Sequence, residues 1–149
     1  MYRKAIVTLF LVAVASVAAH LYVQSQVYYP VVRIDLTDSL SIAAVLPETK
    51  ERRACGLAND RFLAPFKRQC KDCRITQARC ERQLEGVELA MHDGLPVPHP
   101  MVVAREARIA VIGPDEKARA GCQYIAANLV ASGVKTAVCA QPQAAAPKS

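Results

Sequence analysis

The sequence lacks the residues that several classes of functional site require. It contains no tryptophan, and Phe62 and Phe66 are the only aromatic residues among the ten basic residues of segment 48–82. Proteins that bind nucleic acid combine basic surfaces with aromatic residues or recognisable motifs, and no such motif is present. The sequence therefore predicts no nucleic-acid partner.

Motifs for cofactors and metals are incomplete. A c-type haem needs histidine directly after a Cys-x-x-Cys pair, and the residue after Cys73 is Arg74. Zinc sites usually pair one such motif with a second Cys-x-x-Cys or a His pair, and that second half is missing. We therefore predict no cofactor and no metal. The residues that could have contributed zinc ligands are Cys55, Cys70, Cys73, Cys80, His92 and His99.

Catalytic arrangements are also missing. His92 stands beside Asp93, but the alternating pattern around them predicts a strand, in which adjacent side chains point to opposite faces. Glu81, Glu85 and Glu88 are expected on a solvated edge, and no Ser or Lys motif accompanies any of these groups. The sequence assigns no catalytic residue.

The N-terminal segment predicts export. Arg3 and Lys4 precede nineteen residues, 5–23, that contain no Asp, Glu, Lys or Arg. As a helix this run would span about 28 Å, close to the thickness of a bilayer core. Because no basic residue follows until Arg33, the positive-inside rule places the N-terminus in the cytoplasm and exports the rest. The alternative is a signal peptide cleaved after small residues near position 19.

This pattern predicts a single-pass protein of the inner or plasma membrane, with its C-terminal domain in the periplasm or outside the cell. Residues 1–24 are the predicted anchor and residues 25–30 a short stalk. Residues 31–140 are the predicted exported domain, and residues 141–149 a disordered tail.

The exported domain is predicted to be α+β, with a small mixed sheet, two or three helices and a C-terminal β-α-β crossover. Pro65 is expected to end the first helix, and Gly86 the second. The predicted strands are 31–36, 40–46, 86–94, 101–104, 108–113 and 134–139, and the predicted helices are 47–66, 73–84 and 114–133.

Six cysteines beyond an export signal predict three disulfides. They are Cys55, Cys70, Cys73, Cys80, Cys122 and Cys139. If residues 73–84 are helical, Cys73 and Cys80 lie about 10.5 Å apart, beyond the roughly 7 Å that a disulfide allows. At least one of them must then bond outside the 70–80 cluster, and Cys55 is the nearest candidate in sequence.

The crossover disfavours a bond between Cys122 and Cys139. Cys122 would lie about 10 Å below the edge of the sheet at which its helix begins, whereas Cys139 is expected near that edge.

Charge is concentrated in one segment. The chain carries a net charge of +6, and residues 48–82 hold ten Lys or Arg against five Asp or Glu. A basic surface attracts anions such as lipid headgroups or phosphorylated glycans. The predicted anion-binding residues are Arg52, Arg53, Lys67, Arg68, Lys71 and Arg74.

These features predict a non-catalytic binding or accessory module for a protein partner or an anionic lipid or glycan of the cell envelope. One alternative is a thiol–disulfide or metal-binding protein that uses Cys70, Cys73 and Cys80. Another is an accessory subunit or enzyme of membrane-linked glycan or lipid metabolism.

Export has a direct test. A phosphatase that is active only outside the cytoplasm, fused after residue 149, should be active, because the flank of Arg3 and Lys4 orients the N-terminal run. Activity of a reporter that works only in the cytoplasm, fused at the same position, would contradict export.

Overall fold

The structure, a computed structural model, describes residues 12, 14–17, 26–37, 39–105 and 107–142. Its fold is α+β, with one six-stranded sheet. The strands are β1 (Tyr29–Thr37), β2 (Leu40–Val45), β3 (Arg74–Glu81), β4 (Met101–Ala104), β5 (Ala107–Ile112) and β6 (Val138–Ala140). Within the described ranges, the helices with defined bounds are α1 (Arg52–Gln69), α2 (Gly86–Asp93) and α3 (Asp115–Ala131).

The predicted membrane anchor, residues 1–24, falls almost entirely outside the described residues. Val12 and residues 14–17 are described, and they are helical. In the part of the chain that the structure describes, no helix is long and apolar enough to cross a membrane. Of the predicted tail, only Gln141 and Pro142 are described.

The sheet has the strand order β3-β1-β2-β5-β4-β6, and every adjacent pair is antiparallel. The predicted mixed sheet is therefore wrong. The predicted crossover does join two strands that run in the same direction, β5 and β6, but β4 lies between them. The reason is that β4 first forms a hairpin with β5, and β6 then pairs with the free side of β4.

Helices cover both faces of the sheet. Because successive residues of a strand point to opposite faces, Val32 and Ile34 of β1 face one side and Val31 the other. The first side is packed by α1 and α3, and the second by α2. The first core includes Val32, Ile34, Ile42, Leu63, Val102, Val111 and Cys122, and the second includes Val31, Val45, Leu84, Met91, Val97, Met101 and Ala110.

The segment predicted as a second helix forms β3 instead. β3 pairs with β1 from Tyr29 opposite Glu81 to Asp35 opposite Arg74. Two side-chain hydrogen bonds hold β3 in place: Thr76 Oγ1 donates to the carbonyl of Arg33 in β1, and Asn59 Nδ2 in α1 donates to the carbonyl of Arg79. Tertiary pairing with β1 overrides the local helical pattern.

Residues 86–93 form a helix, α2, and not the predicted strand. The alternation that suggested a strand is misleading, because Val87 and Leu89 are exposed. The buried residues of this region are Leu84, Glu88 and Met91, which follow a helical spacing of four and three.

The first predicted helix exists, but it starts later and continues past Pro65 to Gln69. Proline removes one backbone hydrogen bond inside a helix. Pro65 is exposed, and Phe66 immediately after it packs on the first core, so packing offsets the missing bond.

All six cysteines are paired, which confirms the predicted disulfides. Cys55–Cys80 joins α1 to β3, Cys122–Cys139 joins α3 to β6, and Cys70–Cys73 closes the turn between α1 and β3. Cys73 and Cys80 are not bonded, as predicted, but the predicted reason was wrong. They are separated by the length of a strand and not by two turns of a helix.

The expectation that Cys122 and Cys139 are too far apart to bond is also wrong, and the reason is the register of β6. Cys139 pairs with Val102, which in turn pairs with Ile109, three residues before the end of β5. Cys139 therefore lies about 10 Å below the edge of the sheet, at the depth of Cys122, and their Cα atoms are 5.6 Å apart.

Loop length predicts that the disulfides contribute unequally to the free energy of unfolding. Cys55–Cys80 spans 25 residues and Cys70–Cys73 spans 3. The chain-entropy model assigns them about 3.5 and about 2 kcal/mol. The variant C55A/C80A should therefore melt several degrees below C70A/C73A, as measured by circular dichroism. Equal losses would contradict this order.

Candidate functional site

The six predicted anion-binding residues are all exposed, but they do not form one site. Arg52 and Arg53 begin α1, whereas Lys67 and Arg68 lie in its last turn. At 1.5 Å per residue these two pairs are about 22 Å apart along the helix axis. The predicted patch is therefore two separate groups at opposite ends of the domain.

The larger group is a cationic corner, which consists of Lys67, Arg68, Lys71 and Arg74. The last turn of α1 contributes two of these residues, the following turn contributes Lys71, and the first residue of β3 is Arg74. The Cys70–Cys73 disulfide joins the two elements at this corner, and the amide of Cys70 caps α1 by donating to the carbonyl of Phe66.

Two of the four cations have acidic partners. Arg74 Nη2 lies 3.1 Å from Asp35 Oδ2, and Lys67 Nζ lies 3.8 Å from an Asp60 carboxylate oxygen. Arg68 and Lys71 form no ion pair with any described residue. Such exposed pairs contribute about 0–1 kcal/mol each, so they leave the corner open to a competing anion.

The helix dipole explains the positions of only two of the four cations in this corner. Lys67 and Arg68 in the last turn complement the negative end of the helix dipole. Lys71 and Arg74 lie beyond the helix end, where that explanation does not apply. Residues 67–74 contain these four cations and one acid, Asp72, so this stretch carries a local charge of +3, which becomes +1 when the ion-pair partners Asp35 and Asp60 are counted.

The opposite end of the domain is electrically balanced. There the Arg82 guanidinium lies 5.6 Å from the centre of the Tyr28 ring and donates to its hydroxyl over 3.4 Å. The two residues border an open cleft of about 550 Å³ that Arg52 also lines. The cations at this end are Lys50, Arg52, Arg53 and Arg82, and the acids are Glu48, Glu51, Glu81 and Glu85.

A partly buried ionic network, which the sequence did not predict, docks α2 on the sheet. Glu88 accepts from Arg33 Nη2 at 3.0 Å and lies 3.6 Å from Arg79 Nη2, while Arg79 also pairs with Glu81 at 3.2 Å. The expectation that Glu88 lies on a solvated edge is wrong, because its side chain is only 11% exposed. The helical spacing of Leu84, Glu88 and Met91 is the feature of the sequence that could have indicated the burial of Glu88.

His92 and Asp93 do interact, contrary to the prediction from a strand. Both residues lie at the end of α2, and their side chains are in contact, with His92 Nδ1 and Asp93 Oδ1 2.9 Å apart. The Tyr29 ring packs edge-on against His92 at 5.0 Å, and burial, followed by the nearby Glu48 carboxylate, raises the pKa of Tyr29. Within the described chain, His92 has no second hydrogen-bond partner that would complete a catalytic triad.

The metal-binding alternative gains no support from geometry. Among the described residues, no group of three or more His, Cys, Asp or Glu side chains is placed to hold a metal ion. The thiolate ligands that zinc prefers are also unavailable while the cysteines are oxidised.

Comparison with known proteins finds no matching protein-family model, no matching curated protein and no matching solved structure. No activity is therefore carried over to this chain from a relative. Any proposal of a function therefore rests on the charges, contacts and disulfides of the chain itself.

The ionic network predicts a stability effect. Glu88→Gln should lower the free energy of unfolding by about 1–2 kcal/mol, because Arg33 and Arg79 lose a charged acceptor at the sheet surface. Glu85→Gln is the matched control, since Glu85 is exposed in the same segment and should change stability by less than about 0.5 kcal/mol. Urea denaturation measures both, and equal effects would show that the network contributes nothing.

Proposed function

We propose that this chain is a membrane-tethered, non-catalytic binding module whose cationic corner binds an anionic polymer of the cell envelope. The observation that carries this proposal is the arrangement of four exposed cations, from α1, the following turn and β3, around the Cys70–Cys73 disulfide. Two of them, Arg68 and Lys71, have no acidic partner among the described residues.

The position of this corner relative to the tether favours a ligand away from the membrane. Asp35 at the far end of β1 pairs with Arg74, whereas Tyr29 at its start pairs with Glu81. Six residues of strand place the corner about 20 Å from the end at which the chain enters the domain. Tyr28 already pairs with Thr49 in the domain, so residues 25–27 add at most about 11 Å of linker beyond the proposed anchor. The balanced end then faces the bilayer, and the cationic corner faces away from it.

Polymeric anions suit this corner better than single ions. Each exposed ion pair contributes only about 0–1 kcal/mol, so useful affinity needs several contacts at once. A chain of phosphate or carboxylate groups can contact Lys67, Arg68 and Lys71 together. Such binding weakens as salt rises, because exposed charges are screened beyond about 8–10 Å at physiological ionic strength.

Three disulfides support the proposed location. Disulfides persist in oxidising compartments such as the periplasm and the cell exterior, and they are rare in the cytosol. The predicted anchor, residues 1–24, supports the same orientation, because Arg3 and Lys4 precede its uncharged run 5–23. The inner or plasma membrane, with the domain on its outer side, is therefore the proposed setting.

Inorganic polyphosphate is a suitable probe. The variant K67S/R68S/K71S of the full-length protein in detergent micelles should bind it about tenfold more weakly than the wild type, because three contacts of about 0.5 kcal/mol each are lost. Isothermal calorimetry at two salt concentrations measures this effect.

The matched control removes the same charge from the other end of the domain. R52S/R53S/R82S should change affinity by less than about twofold, since Glu48, Glu51, Glu81 and Glu85 already balance that end. Equal weakening by both triple variants would mean that net charge alone attracts the probe. Absence of binding by the wild type, or stronger binding to anionic vesicles than to polyphosphate, would overturn the proposed ligand.

A further inference from the structure

We infer that Cys70–Cys73 is a thiol-exchange site, open to external dithiols while the other two disulfides stay closed, and that its opening weakens anion binding at the cationic corner. The exchange reaction is inferred only from the burial, position and neighbouring charges of the three disulfides. The effect on binding rests in addition on the proposed function.

Two of the bridges each have one cysteine in a core. Cys55 and Cys122 are completely buried, and each belongs to a helix packed on the sheet. Their partners, Cys80 and Cys139, lie on strands. Cys80 and Cys139 are themselves partly exposed, and Cys80 lines the open cleft next to Arg82. A thiolate that attacks either of them must, however, expel Cys55 or Cys122 as a thiolate inside a core, where burial in apolar surroundings disfavours the charge.

The third bridge occupies a surface turn. Cys70 and Cys73 are both partly exposed, and Lys71 and Asp72 between them are exposed. The bridge spans only three residues, so opening it releases less chain entropy than opening either of the others. An external thiolate can approach without unfolding of α1 or β3.

Charge around the turn favours the reaction. The attacking group is an anion, and Lys67, Arg68, Lys71 and Arg74 raise its local concentration. The rate of thiol–disulfide exchange also depends on how well the departing sulfur carries a negative charge. In thioredoxin-like sites a helix N-terminus stabilises that charge, whereas here the turn follows a helix C-terminus and the cations must supply the stabilisation.

The helix end assigns the two sulfurs different roles. Cys70 is the C-cap of α1, where the negative end of the helix dipole disfavours a thiolate. Cys73 lies between Lys71 and Arg74, which favour one. One thiolate of the dithiol therefore attacks Cys70 Sγ, and Cys73 leaves as a thiolate. The second thiol of the reagent, as its thiolate, then displaces Cys70 Sγ, so the dithiol becomes a cyclic disulfide and Cys70 and Cys73 are reduced.

Opening this bridge removes the constraint that holds the cationic corner together. Lys67 and Arg68 belong to α1 and Arg74 to β3, and the bridge spans the turn between them. Once it opens, Lys71 is free to move relative to both elements. Loss of this preorganisation should weaken polyphosphate binding by about three- to tenfold.

Graded reduction tests the exchange reaction. The full-length protein in detergent micelles is treated with increasing dithiothreitol, alkylated with iodoacetamide and mapped by mass spectrometry. Labels should appear at Cys70 and Cys73 at reductant concentrations that leave Cys55, Cys80, Cys122 and Cys139 unlabelled. Simultaneous labelling of all six, or labelling of Cys70 and Cys73 last, would overturn the assignment.

The variant C70S/C73S tests the effect on binding. It should bind polyphosphate about three- to tenfold more weakly than the oxidised wild type while keeping the wild-type circular dichroism spectrum. Unchanged affinity would overturn the regulatory effect and leave the mapped exchange site standing. If the wild type itself does not bind polyphosphate, the proposed function and the regulatory effect both fail, and the mapping alone decides the exchange site.

Discussion

The pairing of β3 with β1 is the constraint on which the rest of the molecule depends. It places Cys80 beneath α1, where Cys55 bonds to it, and it brings Arg74 next to Asp35. It also makes the turn at Cys70–Cys73 a sharp return from helix to strand. Had this segment been a helix, its cations would have spread along a cylinder and not met the end of α1.

Patterns that reflect burial could be predicted from the sequence. Apolar residues alternate with polar ones in β1 and recur at helical spacing in α3, and both sets lie in or against the first core. Both elements are found where they were expected. β3 is an edge strand whose side chains are mostly exposed, so burial left no alternation in its sequence. α2 is only two turns long and buries Glu88 through an ionic network, so its buried face does not look apolar.

The candidate site was predictable in composition but not in position. All six basic residues that the sequence predicts to bind anions are exposed, but α1 separates Arg52 and Arg53 from the other four by most of its length. Local sequence carries no information on which acids lie opposite, and Asp35 reaches Arg74 only through the sheet. Likewise, the Cys122–Cys139 bond depends on the register of β6 against β4, which is set by long-range pairing.

The disulfides are distributed so that opening Cys70–Cys73 would change only the cationic corner. A switch must change one surface without unfolding the domain. α1 is held near its start by Cys55–Cys80 and along its length by Leu63 and Phe66 in the first core. Opening Cys70–Cys73 therefore removes a constraint only at the end of the helix, where the cations lie. The proposed anion binding and the proposed thiol exchange both depend on the exposure of this turn, so a change in one would affect the other.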